Sequence, residues 1–427
     1  MATTDLRIET SEFKKALDVL SSVTPRKAAM PLLYDACVRY DEERRIFTIE
    51  STDADQFIRL ECWRPSEDEE SGRRPWMIND SHARGDSGLK AFCINVADFR
   101  EAFSMLPSMP AFCYLTIGEH GGQMKVLYGK GEFTLPVNAG GSPEEYPAPV
   151  PVIEKGVNRR EGVEPVTKFA IETERLLPVI AAARCCASQN ELQPQMRTVC
   201  MDAFHDHLVV VASDGHSLFK QTVDTGMGWL RYGEFPATGS AKLLIPSTSL
   251  SPLVKAFAGS NDITVTADTQ RIRIESGDGQ AMLVFQTPDG KYPNYESVIP
   301  KDCPYRLLLS KSELAVTLRR SLFFADESSE MAVLGRKEDQ FTIEASDEGR
   351  GRNNSESVAI INADCTLPMD FKIGCKMTTL QKILDCVSTE NVLMELTDEK
   401  KPMLLREDSK ASGLQLMLMP MLINPTA

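Results

Sequence analysis

The chain has 427 residues, 42% of them hydrophobic and 25% charged, and its 47 lysines and arginines face 61 aspartates and glutamates for a formal net charge of −14. At about 100–200 residues per domain, that length predicts two to four domains, each able to bury a core. The acidic balance argues against a protein that grips nucleic acid by bulk charge, while leaving room for a local basic surface; the ordinary composition excludes disordered, collagenous and coiled-coil classes. No run approaches the roughly 18 apolar residues of a membrane helix. The opening MATTDLRIETSEF lacks a basic n-region and an apolar h-region, so the expectation is a cytoplasmic chain with no membrane partner. Its 11 cysteines are scattered without a C-x-x-C pair and read as reduced thiols, mostly core filler.

Taken in chain order, the elements repeat. Leu6-Arg-Ile8-Glu-Thr10 alternates as a strand and runs into the amphipathic EFKKALDVLSSV. The β-rich FTIESTDAD then ends at Asp53, and the polar block 64–90 reads as a surface insertion. AFCINVADFREAFSML follows as strand, polar break and helix, and CYLTIGEHGGQMKVLYGKGEFTLPV as strands. A Pro- and Gly-rich stretch from Asn138 to Glu164 marks a boundary.

The second third opens with Phe169-Ala-Ile171-Glu-Thr173 and ERLLPVIAAA, reaches LVVVASDGH at Asp214, and continues through AKLLIPSTSLSPLVKAF and further strands. The third opens with Leu307-Leu-Leu309-Ser310 and KSELAVTLRRSL, reaches FTIEASDEG at Asp347, and continues through DFKIGCKMTTLQKILDCV to the terminal strands. Thr10, Thr173 and Ser310 stand where N-caps belong. Each third therefore holds two strand–helix–strands halves. The predicted class is α+β with antiparallel sheets, in three repeated domains over 1–155, 164–300 and 301–427. Such repeats either stack or close into a ring through head-to-tail contacts, with helices on one face and sheets on the other.

Chemistry is sparse. Asp214-Gly215-His216 looks like part of a catalytic site, but its plainer reading is a turn, because the equivalent turns at Asp53 and Asp347 lack histidine. No nucleophile elbow, zincin motif or phosphate loop is present, and Gly121-Gly122 and Gly140-Gly141 are loop glycines. His205 and His207 with Asp202 and Asp206 make too thin a ligand set for a metal. The expectation is a non-enzyme with no cofactor, no metal and no catalytic residue.

Cations gather on the predicted helices: Lys14, Lys15, Arg26 and Lys27 on and after the first, Arg319 and Arg320 at the end of the fifth, and Arg184, Lys255 and Lys382 beside the others. They are either solvated faces or, by repeat symmetry, one basic surface for a polyanion. The apolar Leu416–Ile423 run is either the last core strand or, at Met419 and Met421, a repacking contact surface for peptides.

Three motifs now bear on one another: Val211-Ala-Ser-Asp-Gly-His216-Ser-Leu218, Lys291-Tyr-Pro293-Asn-Tyr295-Glu-Ser-Val298-Ile-Pro300 and Met419-Pro420-Met421. Far apart, in order and on a triple repeat, they resemble the bacterial DNA polymerase III β subunit, the replication sliding clamp. The resemblance implies a ring-shaped head-to-tail homodimer of the DNA clamp fold that encircles duplex DNA, with helices lining the channel. It also implies a processivity factor that tethers the polymerase.

Lys27, with Arg26 beside it, falls where the family contacts DNA. The implied partners are double-stranded DNA, the polymerase III α subunit, the clamp loader, and other polymerases and repair proteins, which insert a Gln-Leu-x-Leu-Phe-like peptide. By motif position the deep subsite is Leu218, Pro293, Val298, Met417 and Met419, and the groove is Cys200, Ser213, Gly215, His216, Ser217, Thr379, Met403, Leu418, Pro420 and Met421. Ser217 and Leu422 depart from the arginines often found there, and Lys376 and Thr379 from the family's Asn and Tyr. The implied dimer contact is Phe133 and Leu135 against Phe323 and Phe324, for which ordinary core is the alternative.

Overall fold

The computed structural model describes residues 2–41, 46–61, 76–78, 91–107, 110–118, 121–149, 152, 167–204, 206–223, 233–234, 240–362, 364–409 and 412–423. In the first third, β1 (Ala2–Glu9) leads into α1 (Thr10–Leu20), followed by β2 (Asp35–Asp41), β3 (Ile46–Thr52), β4 (Gln56–Glu61) and β5 (Trp76–Ile78). Its second half is β6 (Ala91–Asn95), α2 (Val96–Ser104), β7 (Pro110–Gly118), β8 (Gly121–Tyr128) and β9 (Gly131–Val137). The second third runs β10 (Thr167–Glu172), α3 (Thr173–Ala183), β11 (Thr198–Phe204), β12 (Leu208–Ser213), β13 (Ser217–Val223) and β14 (Gly233–Glu234). It continues with β15 (Ser240–Pro246), α4 (Ser247–Phe257), β16 (Asp262–Ala267), β17 (Arg271–Ser276) and β18 (Ala281–Gln286). The last third runs β19 (Tyr305–Ser310), α5 (Lys311–Leu322), β20 (Met331–Lys337), β21 (Gln340–Asp347), β22 (Arg352–Ala359) and β23 (Lys372–Lys376). It ends with α6 (Met377–Leu384), β24 (Asn391–Leu396), β25 (Met403–Glu407) and β26 (Leu414–Leu418). Each α-helix follows directly on a strand, which is the predicted rhythm.

All ladders among the described residues are antiparallel, so the fold is α+β as expected. One sheet has the order β14-β10-β16-β17-β18-β4-β3-β2-β6-β9-β8-β7-β1-β5, a second β15-β11-β12-β13-β26-β25-β24-β19, and a third β22-β21-β20-β23. The first two join strands of neighbouring thirds, by Leu283↔Ile58 between β18 and β4 and by Leu218↔Met417 between β13 and β26. Pairing those strands removes edges that would otherwise present unpaired backbone groups. The chain gathers into two compact units along these sheets: Met1–Leu177, Trp229–Ala237 and Thr248–Thr287 in one, and Pro178–Gly228, Thr238–Ser247 and Pro288–Ala427 in the other.

In the first unit, Phe13, Leu17 and Leu20 of α1 and Phe99 and Phe103 of α2 recur at helical spacing and are buried. Phe13 meets Phe103 edge-on at 4.7 Å. The helix starts differ from expectation. Ser310 caps α5, accepting from the Glu313 N–H at 3.4 Å. Thr10 and Thr173 are already helical, and their hydroxyls donate to the carbonyls of Pro107 (3.0 Å) and Ser260, just beyond α2 and α4. The Lys311 ammonium does the same for Val387 beyond α6. In every third the start of one helix thus satisfies a carbonyl beyond the end of the other, where backbone acceptors lack helical partners.

Of the polar block 64–90, only Trp76–Ile78 lies within the described residues. It forms β5 and pairs with β1 through Arg7↔Met77, so that part of the predicted surface insertion is sheet. His205 and the tail beyond Ile423 also lie outside the described residues.

Asp35 is a strained point in the first unit. It is 3% exposed, and its Oδ2 has no hydrogen-bond partner among the described residues, while Oδ1 takes the Asn95 amide at 3.3 Å. Burial raises its carboxyl above the ordinary 3.8. Between 3.8 and that raised value the folded state holds the extra proton, so stability falls as pH rises through this window. Asp35→Asn is expected to gain about 1 kcal/mol at pH 7 and nothing near the lower end of the window, by urea unfolding at both pH values. An equal effect at both would show that charge is not the cause.

Candidate functional site

The second unit builds its site around the end of β12. Asp214 follows that buried strand, and its Oδ1 accepts from the N–H groups of His216 (2.9 Å) and Ser217 (2.6 Å) and from the Ser217 hydroxyl (3.0 Å). Gly215 supplies the left-handed step, with φ +87°. Asp53 holds the Asp55 and Gln56 N–H groups in the same way, and Asp347 that of Arg350. The carboxylate is therefore spent on the turn, and the turn reading of this triplet holds. His216 is exposed, and its carbonyl receives the Met419 N–H at 2.8 Å.

That turn delivers β13 onto β26, in the register Ser217↔Leu418 and Leu218↔Met417, with Met403↔Leu418 on the far side. Cys200, Leu218 and Met417 share one buried apolar cluster, in which Tyr292 and Tyr295 also sit and against which Ile299 packs. Of the residues expected to receive a peptide, Cys200, Ser217, Leu218, Met403, Met417 and Leu418 are at most 3% exposed and form the floor. Gly215, His216, Pro293, Val298 and Met419 are exposed above it, and Ser213, Thr379, Pro420 and Met421 are half-buried. Pro293 lies between the two tyrosines, Val298 adjoins Ile299, and Thr379 is on α6, which packs against β13 and β26. Beyond β26 the tail crosses to β23, where the Met421 N–H donates to the Gly374 carbonyl at 2.9 Å. A Cβ on Gly374 would stand 2.6 Å from the Met421 carbonyl oxygen, so only glycine lets the tail lie there.

The sequence reading missed the support beneath. The Tyr295 hydroxyl donates to the buried Asp202 Oδ2 at 3.0 Å; Lys242 lies 3.7 Å from the same oxygen and 5.2 Å from the Tyr295 ring centre. Burial pushes the hydroxyls of Tyr292 and Tyr295 well above the usual phenol range. Lys220 on β13 pairs with Glu296 at 2.5 Å and pins the segment that carries Val298. An aspartate inside the apolar strand VCMDAF was the available signal, since a buried carboxylate needs a partner. Tyr295→Phe removes that partner and is expected to cost about 1.5–3 kcal/mol in urea unfolding. An unchanged midpoint would mean that Lys242 alone suffices.

The nine candidate cations divide. In the first unit, Asp18 of α1 takes Arg100 on Oδ1 and Lys255 on Oδ2, both at 2.7 Å. The hydrogen bond from Lys255, then that from Arg100, holds its carboxyl below the usual range against partial burial. Lys14 donates to the Leu106 carbonyl at 2.6 Å, and Lys15 pairs with Glu12 on the surface. Arg26 and Lys27 are exposed in the turn after α1 and make no ion pair among the described residues. Lys14, Asp18, Arg26 and Arg100 line a cleft of about 1000 Å³ between α1 and α2. In the second unit, Arg320 forks onto Glu356, while Arg184, Arg319 and Lys382 are exposed without an ion pair among the described residues.

Phe133 and Leu135 are half-buried on β9, and the Phe133 ring lies 5.9 Å from that of Phe103, so part of it belongs to the core. β9 pairs fully with β8 but with β6 only at Val137, so among the described residues most of its other edge has no pairing strand. Phe323 is 64% exposed under the Arg352 guanidinium at 4.6 Å, and the half-buried Phe324 meets it edge-on at 5.2 Å. β22 is likewise the edge of its sheet.

Comparisons with known proteins converge. Residues 296–422 match the family profile of the DNA polymerase III beta subunit, C-terminal domain. The chain is 21% identical to the beta sliding clamp of Caulobacter vibrioides over 423 residues, 97% of this chain and 99% of that one. It is 22% identical to that of Escherichia coli K12 over 256 residues, covering 60% of this chain and 65% of the relative's length. Among solved structures, the DNA polymerase sliding clamp from Bacillus subtilis is similar over 99% of this chain and 100% of its own, with TM-score 0.79 and 16% identity. The DNA polymerase III beta subunit of Thermotoga maritima is similar over 99% and 100%, with TM-score 0.77 and 18% identity. The terminal third thus matches the C-terminal domain of the DNA polymerase III beta subunit in sequence, and the whole length shares the fold of the sliding clamps.

Proposed function

We propose that this chain is a sliding clamp, a processivity factor that encircles duplex DNA and tethers the replicative polymerase and other partners through a peptide site. The observation that carries the reading is the match of residues 296–422 to the C-terminal domain of the β clamps, within a chain whose clamp fold extends over 99% of its length. Three clamp domains, 1–155, 164–300 and 301–427, would be present in each copy. Two copies would close head to tail, with Phe133 and Leu135 on the open edge of β9 meeting Phe323 and Phe324 near the edge strand β22. Free sheet edges favour such pairing.

A closed ring holds DNA topologically, so weak, sequence-independent phosphate contacts suffice and a net charge of −14 is no obstacle. The peptide site would be the seam of β13 and β26, with Leu218 and Met417 as its floor and Val298, Met419 and His216 as its rim. Its ligands would be short apolar segments of the polymerase III α subunit, the clamp loader, and other polymerases and repair proteins. No catalytic step is assigned, because Asp214 is committed to its turn. The direct test is retention on nicked circular DNA after loading by the cognate clamp loader. Release on linearising the circle is expected; retention on linear DNA, or a monomeric mass by light scattering, would overturn the ring.

A further inference from the structure

Three cysteines of the second unit converge where two helices end. Cys185 lies in the 3₁₀ turn Arg184–Cys186 after α3, and Cys386 lies two residues beyond α6. Their sulfurs are 3.2 Å apart, and the Cys186 sulfur is 3.5 Å from that of Cys185. Cys185 and Cys386 are half-buried, so a small solute can reach them. Cys37 and Cys93 provide a contrast within the same chain. They face one another across β2 and β6, but both are 0% exposed, and the hydrogen bond with Cys37, with burial, pushes the Cys93 thiol far up. That pair has no solvent access, and the Cys93 thiol keeps its proton.

At Cys386 the balance is reversed. The sulfur contact with Cys185 draws its thiol below the ordinary value, and Lys311 and Lys382 act in the same direction, against burial and Asp385; the protonated sulfur can also donate to the carbonyls of Ala182 and Lys382, each at 3.7 Å. The Lys311 ammonium is fixed nearby by its bond to the Val387 carbonyl. The contacts with Cys186, then with Cys386, and burial push the Cys185 thiol far up, so it keeps its proton.

We propose that Cys386 and Cys185 form a peroxide-reactive modification site, with Cys386 as the attacking thiolate and Cys185 as the resolving thiol. The Cys386 sulfur attacks one oxygen of hydrogen peroxide and the O–O bond breaks. Hydroxide leaves and takes a proton to become water, and Cys386 becomes a sulfenic acid, oxidised by two electrons. Cys185 then gives up its proton and attacks the Cys386 sulfur. The S–O bond breaks, the second hydroxide leaves as water, and an S–S bond forms. Two thiols and one peroxide give one disulfide and two waters. The sulfurs need close only from 3.2 Å to about 2.05 Å. The product clips the turn after α3 to the end of α6, beside the exposed cations Arg184 and Lys382.

The test treats the full chain with equimolar hydrogen peroxide and maps disulfides by mass spectrometry without reduction. A Cys185–Cys386 link, a chain mass lower by two hydrogens and reversal by dithiothreitol are expected. Cys185→Ser should stop at a Cys386 sulfenic acid trapped by dimedone, and Cys386→Ser should slow peroxide consumption at least tenfold. In the unmodified protein, iodoacetamide should label Cys386 at least tenfold faster than Cys37 or Cys93, a readout independent of how the variants fold. Absence of the link, or labelling of Cys386 no faster than the buried pair, would overturn the proposal.

Discussion

Removing Met419–Ala427 is expected to weaken binding of a labelled Gln-Leu-Asp-Leu-Phe peptide by at least about tenfold, while the chain stays folded. The cut falls directly after the last residue of β26, so the ladders Leu218↔Met417 and Met403↔Leu418 survive. What is lost is the rim: Met419, 36% exposed above a floor of Leu218 and Met417, and the strap that Met421 makes to Gly374. An apolar side chain buried against such a surface is worth about 1.5–3 kcal/mol, which corresponds to roughly 10- to 150-fold in affinity. A cut before Met417 would instead unpair β26 and confound folding with binding.

Gly374→Ala offers an independent route to the same end. Its methyl would meet the Met421 carbonyl oxygen at 2.6 Å and must lift the tail from β23 without removing any of it. Both variants should lose affinity in fluorescence anisotropy with thermal midpoints within a few degrees of the parent. Unchanged affinity in both would put the peptide site elsewhere.

The sequence carried the architecture well because the signals were local and repeated. Alternation in Phe169–Thr173, an amphipathic run behind it and an Asp turn at Asp214 each act over a few residues, and three copies confirm one another. Pairing between thirds was not legible. β18 joins β4 and β13 joins β26 through backbone groups, and nothing in LVVVASDGH or GLQLMLMP names the partner strand. The helix starts were half legible for a similar reason. Thr10 and Ser310 look alike in sequence, but Thr10 is drawn to the Pro107 carbonyl, a contact set by how α2 ends. At the candidate site, motif position collected residues that the strand register then divides into floor and rim. Tyr295 stood inside a quoted motif but was passed over, because its role depends on Asp202, 93 positions away.

Neutralising Arg26 and Lys27 together is expected to flatten the salt dependence of duplex binding, while neutralising Lys255 and Arg320 together leaves it nearly unchanged. In the sequence, the resemblance singles out Lys27 with Arg26 beside it, and repeat symmetry alone suggests the other cations. The structure separates them, since Lys255 is held by Asp18 and Arg320 by Glu356, whereas Arg26 and Lys27 have no ion-pair partner among the described residues. A cation releases counterions from DNA only if its charge is available to a phosphate, and each such contact contributes about 0.9 to the slope of log K against log salt. Arg26→Gln with Lys27→Gln should therefore reduce the slope by up to about 1.8, with affinity down at least tenfold at low salt. Lys255→Gln with Arg320→Gln leaves Asp18 to Arg100 alone and Glu356 without its cation, so a small uniform loss is expected with the slope kept. The measurement is anisotropy of a short labelled duplex across a salt series. Equal slope changes in the two double variants would mean that the ion pairs open freely to phosphate, and that the division among cations has no bearing on duplex binding.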